Sequence, residues 1–259
     1  MTGDRVDERR GGGTAGGGPL REPAEGPGEA RSGLFLRNLG AERGGRRVLA
    51  GVDAALAVEG AAGGALFVTG PNGVGKSTLL RVLAGLSPLG EGTMTLVLDG
   101  RAAAADEIGA ACHYLGHRDA FKTALTVAEN LAFWRAFLAP PPVGAGRGEE
   151  AVGVEAALET VDLLHLADLP AGLLSAGQRR RLALARLLVA RRPLWLMDEP
   201  TAALDTASEA RLVALMARHV ASGGLLVAAT HLPIDLPGAA TLRLEPARGL
   251  SADEAELVA

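Results

Sequence analysis

The segment Gly70–Thr78 reads GPNGVGKST, and its residue types suit the holding of an anion. Gly70, Gly73 and Gly75 permit a tight loop, with Pro71, Asn72 and Val74 filling out the spacing G-x-x-x-x-G-K-[ST] that Lys76, Ser77 and Thr78 complete. Backbone N–H groups of such a loop point inward, and the positive end of a following helix adds to their field. Lys76 supplies a point charge for β- and γ-phosphates, and Ser77 a hydroxyl for Mg²⁺. The pattern implies binding of a nucleoside triphosphate and leaves the reaction open.

Two carboxylates narrow it. In PLWLMDEP, four apolar residues end in Asp198, which a buried strand would present at its tip to hold Mg²⁺ through water. Metal binding alone has no need of a second carboxylate, so Glu199 beside it argues for hydrolysis, with Glu199 polarising the attacking water. His231 follows another apolar run, LLVAAT, at a strand end.

The elements that must position these groups are legible around them. LFLRNL and VDAALAV alternate apolar and other residues between glycine-rich turns, which suits antiparallel strands. GALFVTG reads as a buried parallel strand entering the phosphate loop, and KSTLLRVLAGL as the helix leaving it. LTVAENLAFWRAFL and EEAVGVEAALETVDLLHLADL are helical in period, the second interrupted at Gly153, with the Pro/Gly loop APPPVGAGRG between them. GQRRRLALARLLVARR predicts a basic amphipathic helix. The α/β pattern then resumes with PLWLMDEP, the helix TASEARLVALMARHVASGG, and the strands LLVAAT and ATLRLEP. The expectation is an α/β fold with a mainly parallel core sheet, an N-terminal antiparallel β-subdomain and an inserted helical subdomain at about 120–180. Residues 1–32, rich in Gly, Pro, Arg and Glu, are expected to form a disordered leader before a domain spanning 33–259.

LLSAGQRRRLALARLL, preceding the Asp-Glu strand, resembles the LSGGQ signature of ATP-binding cassette (ABC) ATPases, with Ala176 in place of a glycine. TAALD, Thr201 to Asp205, resembles that family's D-loop, and THLP carries what resembles its switch histidine, His231. The resemblance covers about 34–245 and implies a P-loop ABC cassette that hydrolyses ATP with Mg²⁺. It implies a homodimer with two ATP molecules sandwiched head to tail, so that Ser175, Gly177 and Gln178 act on the ATP of the other copy and Asp205 lies at the interface. It also implies that His231 contacts the γ-phosphate near Glu199, and that a separate transmembrane subunit is the driven partner.

Two departures matter. The region GAERGGRRVL lacks the aromatic residue that family members stack on adenine, and the planar guanidinium of Arg43 is the substitute expected. The Q-loop glutamine position falls on His117. Mg²⁺ favours oxygen ligands, so His117 is expected to act through water or to report contact with a partner.

YLGHRDAFKTALTVAENL, together with AERGGRRVL and THLP, resembles the ATP-binding subunits of the haem exporter used in cytochrome c maturation. The alternatives are another ABC exporter or a soluble ABC ATPase. Direct haem ligation by His113 and His117 is not expected, since no Cys-x-x-Cys-His is present. The interval before the signature carries no coiled-coil heptads, which disfavours chromosome-type ABC ATPases, and one cassette disfavours the two-cassette translation factors.

Composition sets the outer bounds. With 259 residues and 48% apolar content, the chain can bury one sizeable core. A formal charge of -4 argues against a nucleic-acid surface, and Cys112, the one cysteine, excludes an internal disulfide. No apolar run reaches the roughly 20 residues that span a bilayer, so no direct membrane insertion is expected. The expected place is peripheral, on the cytoplasmic face of the inner membrane.

Overall fold

The computed structural model describes residues 32–246, apart from 59, 119, 139, 141, 142 and 149. The expected leader up to residue 31 and the last ten residues lie outside the described residues. Ser32, assigned to the leader, is instead the first residue of a strand and is fully buried. Its hydroxyl accepts a hydrogen bond from the backbone N–H of Asp99.

β1 (Ser32–Arg43) and β2 (Arg46–Val58) pair as a long antiparallel hairpin around the turn at Gly44 and Gly45. β3 (Gly64–Thr69) leads into α1 (Lys76–Leu83), followed by β4 (Glu91–Leu98) and the two-residue β5 (Arg101–Ala102). α2 (Ala105–Ala111) and β6 (Cys112–Leu115) precede the helical lobe, which holds α3 (Val127–Phe137) and α4 (Val154–Thr160). α5 (Ala176–Leu188), β7 (Leu194–Asp198), α6 (Thr206–Ala221), β8 (Leu225–Ala229) and β9 (Ala240–Arg243) complete the order.

The strands form two sheets. One is antiparallel in the order β2-β1-β4-β5, and the other is parallel in the order β6-β7-β8-β3-β9. The parallel sheet is buried on both faces, and its alternation sorts the core in two. Leu66, Val68, Leu194, Leu196, Leu225 and Val227 pack with the antiparallel sheet and α1. Phe67, Trp195, Met197, Leu226 and Ala228 face α5, α6 and the helical lobe. Each fully buried leucine contributes roughly 1.5–3 kcal/mol through removal from water. These two apolar layers fix the C-terminal ends of β3, β7 and β8 side by side.

Three sequence expectations need correction. The long helix expected over EEAVGVEAALETVDLLHLADL is only α4, followed by a short 3-10 turn at Leu164–Leu166. Gly153 caps the start of α4 and does not interrupt it, and Asp162 ends the run by turning to φ 56°. The Pro/Gly loop is also more than a connection within the lobe. Val143 is buried in the core beneath the antiparallel sheet, and Arg147 donates to Asp99 Oδ1 at 2.6 Å and to the Gly223 carbonyl at 3.0 Å. The segment 143–148 therefore returns to the base of the catalytic core before α4 begins. Finally, α5 is not a surface amphipathic helix. Arg180 and Arg186 are buried, because their guanidinium groups turn inward onto backbone carbonyls.

Candidate functional site

The phosphate loop forms as its glycines require. Gly75 caps α1 at φ 110°, and a Cβ there would stand 2.6 Å from Leu49 Cδ2, so only glycine fits against β2. Lys76 is buried and folds back over the loop, with Nζ donating to the carbonyls of Gly70 at 2.8 Å and Pro71 at 3.1 Å. Those contacts hold the ammonium at the mouth of the loop, where it can be exchanged onto an incoming phosphate.

The loop opens on a cavity of about 890 Å³. Asn72, Gly73, Val74, Gly75, Lys76, Ser77 and Thr78 line it together with Asp198, Glu199 and His231. Arg43 and His117, both named from sequence, also line it. Gly70 and Pro71 contribute through their carbonyls to Lys76. Asp198 is almost fully buried at the tip of β7, where parallel pairing with β8 brings it beside Ala229. Its carboxylate and the Ser77 hydroxyl on one cavity are hard oxygen donors, which fits Mg²⁺ with water and phosphate completing the shell.

Glu199 lies just past the strand end with φ 46°, anchored by its N–H donating to the Ala229 carbonyl at 2.9 Å. That turn aims the carboxylate away from the strand, and Oε2 meets His231 Nδ1 at 2.7 Å. His231 is itself largely exposed toward the cavity. A buried carboxylate and an imidazole in contact, lining the same cavity as the phosphate loop, can orient a water and accept its proton.

Sequence reasoning missed several lining residues. Arg46, Val48, Arg81, Tyr114, Arg118 and Pro246 share the cavity. Arg81 was accessible from helical period, standing one turn beyond Ser77. Burial raises the Tyr114 phenol above its ordinary range; the Asp198 carboxylate raises it further and the Arg81 guanidinium opposes both. Tyr114 thus sits beside the residue expected to hold the metal.

Ser175, Gly177, Gln178 and Asp205 are not brought to this cavity. Ser175 and Gln178 form a reciprocal capping box: Ser175 Oγ accepts from the Gln178 N–H, and Gln178 Oε1 accepts from the Ser175 N–H. Gly177 lies under the carbonyl of Ala203, so the end of α5 packs on the TAALD segment. Asp205 caps α6, and hydrogen bonds from the Ser208 backbone and side chain hold its carboxyl below the usual range. These residues present an exposed helix N-terminus away from the chain's own phosphate loop.

The segment before the helical lobe is held by ordinary structural chemistry. Thr126 and Glu129 form the capping box of α3. Asn130, buried, donates to the carbonyls of Lys122, Leu125 and Thr126 and accepts from the Lys122 N–H. His113 faces the core, away from the cavity, with Nε2 2.7 Å from the Ala190 carbonyl. Burial pushes its pKa down to about 3. Cys112 is buried, and burial pushes its thiol up to about 12, so it is inert at neutral pH.

The profile of the ABC transporter family matches residues 55–202. The "Cytochrome c biogenesis ATP-binding export protein CcmA" of Mesorhizobium japonicum is 57% identical over 206 residues, covering 80% of this chain and 95% of that protein. The protein of the same name from Chelativorans sp. is 50% identical over 211 residues, covering 82% and 97% respectively. Among solved structures, a bacterial Atm1-family ABC exporter with ATP bound superposes with TM-score 0.65 at 26% identity, covering 84% of this chain and 39% of that one. An ATP-binding cassette solved as a dimer in a post-hydrolysis state with ADP and Pi has TM-score 0.63 at 22% identity, covering 82% and 94%.

Proposed function

The chain belongs to the ABC transporter family, and from that premise we propose that it is the ATP-hydrolysing subunit of an exporter used in cytochrome c biogenesis, with haem as the exported group. The observation that carries the reading is the single cavity joining the phosphate loop, Asp198, Glu199 and His231. ATP enters with its phosphates against the backbone of 72–78. Lys76 leaves the Gly70 and Pro71 carbonyls for the β/γ-phosphates. Asp198 and Ser77 would hold Mg²⁺, which when bound neutralises developing phosphate charge. Glu199 takes the proton of the attacking water, and His231 orients the carboxylate and contacts the γ-phosphate. Arg43 supports the base by stacking.

The exposed N-terminus of α5 and the dimeric neighbour support a head-to-tail homodimer in which Ser175, Gly177 and Gln178 complete the site of the second copy. Among the described residues, no helix is long and apolar enough to cross a membrane. The proposed arrangement has a separate transmembrane chain as the driven subunit, with this protein peripheral on the cytoplasmic face. His117 is exposed and lines the cavity just past β6; its proposed role is to act through water on the bound metal or to report contact with that partner.

The test is deletion followed by complementation. Loss of all haem-stained c-type cytochromes, restored by the unmodified chain and not by Lys76→Ala, is the expected result. Cytochromes that persist in the deletion strain would reduce the reading to an ABC exporter of another substrate.

A further inference from the structure

Glu199 holds a backbone conformation that a non-glycine residue rarely adopts, with φ 46°. Such a residue persists only where its surroundings over-determine it. The kink turns three successive carbonyls, those of Asp198, Glu199 and Pro200, toward one point. At that point lies the guanidinium of Arg180, buried and reaching across from α5. Its Nη2 donates to Asp198 O at 3.0 Å and Glu199 O at 2.6 Å, and its Nε to Pro200 O at 3.3 Å. Converging carbonyl dipoles repel one another in a low-dielectric interior, and a buried cation among them offsets that repulsion. The remaining arm of the guanidinium, Nη1, donates to the Gly116 carbonyl at 2.9 Å, next to His117. One planar fork thus ties the turn bearing Glu199 to the exit of β6.

We propose that Arg180 is the positioning residue for hydrolysis. It stabilises the left-handed turn at Glu199 and thereby holds the carboxylate against His231, in the cavity that both share with the phosphate loop. These four hydrogen bonds go to backbone carbonyls, three of them on the turn that carries Glu199, so the effect expected of Arg180 falls on where Glu199 points and not on nucleotide binding. The arrangement needs a rigid multidentate donor, which arginine supplies and lysine supplies only in part. The inference rests on ATP hydrolysis at this site.

The experiment uses the purified full chain. Steady-state ATP turnover and nucleotide affinity, read with a fluorescent ATP analogue, are compared for the unmodified protein, Arg180→Met, Arg180→Lys, Glu199→Gln and the double variant Arg180→Met/Glu199→Gln. Arg180→Met should lower kcat at least ~10-fold with KM and affinity within ~3-fold, and Arg180→Lys should fall between. In the Glu199→Gln background the further loss should be under ~3-fold, because the carboxylate being positioned is already gone. A residue that merely supports folding would lower stability and affinity together and give the same fold loss in both backgrounds. Unchanged kcat in Arg180→Met, a rise in KM alone, or equal losses in both backgrounds would overturn the inference. Should Arg180→Met fail to fold, Arg180→Lys decides: lower kcat at unchanged KM supports the inference and unchanged kcat overturns it. An unmodified chain without ATP turnover would overturn the proposed function as well, whereas an active chain indifferent to Arg180 overturns this inference alone.

Discussion

His231 Nδ1 lies 2.7 Å from Glu199 Oε2, although the two residues stand 32 positions apart. Parallel pairing of β7 with β8 closes that distance, since each residue follows the end of one of these neighbouring strands. The contact leaves the carboxylate oriented from one side by imidazole and from the other by its own kinked backbone. Replacement of Glu199 by glutamine keeps the shape and removes the proton acceptor. We expect Glu199→Gln to bind ATP normally and to lose turnover by a factor of order 10² or more. Phosphate release and nucleotide binding measured on one preparation check this, and normal turnover would refute the assignment.

Ser175 and Gln178 form a capping box and do not line the chain's own cavity; the homodimer proposed above supplies them from a second copy. Ser175→Arg and Lys76→Ala should each be inactive alone. In a mixed dimer, one site joins the intact loop of one variant to the intact signature of the other. A one-to-one mixture should therefore recover at most about a quarter of the unmodified rate, from half the dimers having one sound site each. Full activity from isolated monomers would defeat the sandwich.

Much of this architecture was legible because its signals are local. The phosphate loop is a contiguous motif, and the unbroken apolar run Leu194–Met197 belongs to a strand buried on both faces. Residues that act at a distance were not legible. Arg180 sits in a run of three arginines and Arg186 further along the same helix, a basic pattern that reads as solvated; their burial depends on carbonyls of Gly116, Tyr114 and the turn at Glu199, all remote in sequence. The return of 143–148 to the core was hidden for a related reason. Glycine- and proline-rich composition predicts an irregular path but says nothing of where Val143 and Arg147 insert.

His113 and His219 supply a pH dependence unconnected with catalysis. Both are buried, with Nε2 of each facing a backbone carbonyl, and burial lowers both pKa values to about 3. His219 also stacks on Trp195 with ring centroids 3.9 Å apart. The folded pKa lies below the unfolded value near 6.5, so between these limits the unfolded chain binds more protons than the folded one. Stability is then fully present above about pH 6.5 and is lost as pH falls toward about 3. Each histidine adds a slope of up to ~1.4 kcal/mol per pH unit in that window. Urea unfolding at pH 7.5 and 5.5 should show the loss, and replacing either histidine by glutamine should flatten it even where absolute stability drops. A pH-independent midpoint across this range would contradict the burial argument.

The aromatic face of α3 offers a sharper separation of folding from function. Leu131 is fully buried, yet Phe133 is 39% and Phe137 66% exposed, their rings stacked at 5.7 Å. Trp134 beside them is fixed by its Nε1 donating to the Ala120 carbonyl and by Arg186 over its ring, so it supports the lobe from within. Phe137 meets the Phe133 ring face to face and the Trp134 ring edge-on, and most of its surface is exposed. Phe137→Ser should change stability by no more than about 0.5 kcal/mol and leave the ATPase rate of the isolated chain within about 2-fold. If this face receives a helix of the transmembrane subunit, the same variant should fail to restore c-type cytochromes and should no longer sediment with membranes. Trp134→Ala is the contrasting control, expected to destabilise the lobe and reduce every readout together. Full complementation by Phe137→Ser, with normal membrane association, would move the docking surface elsewhere on the chain.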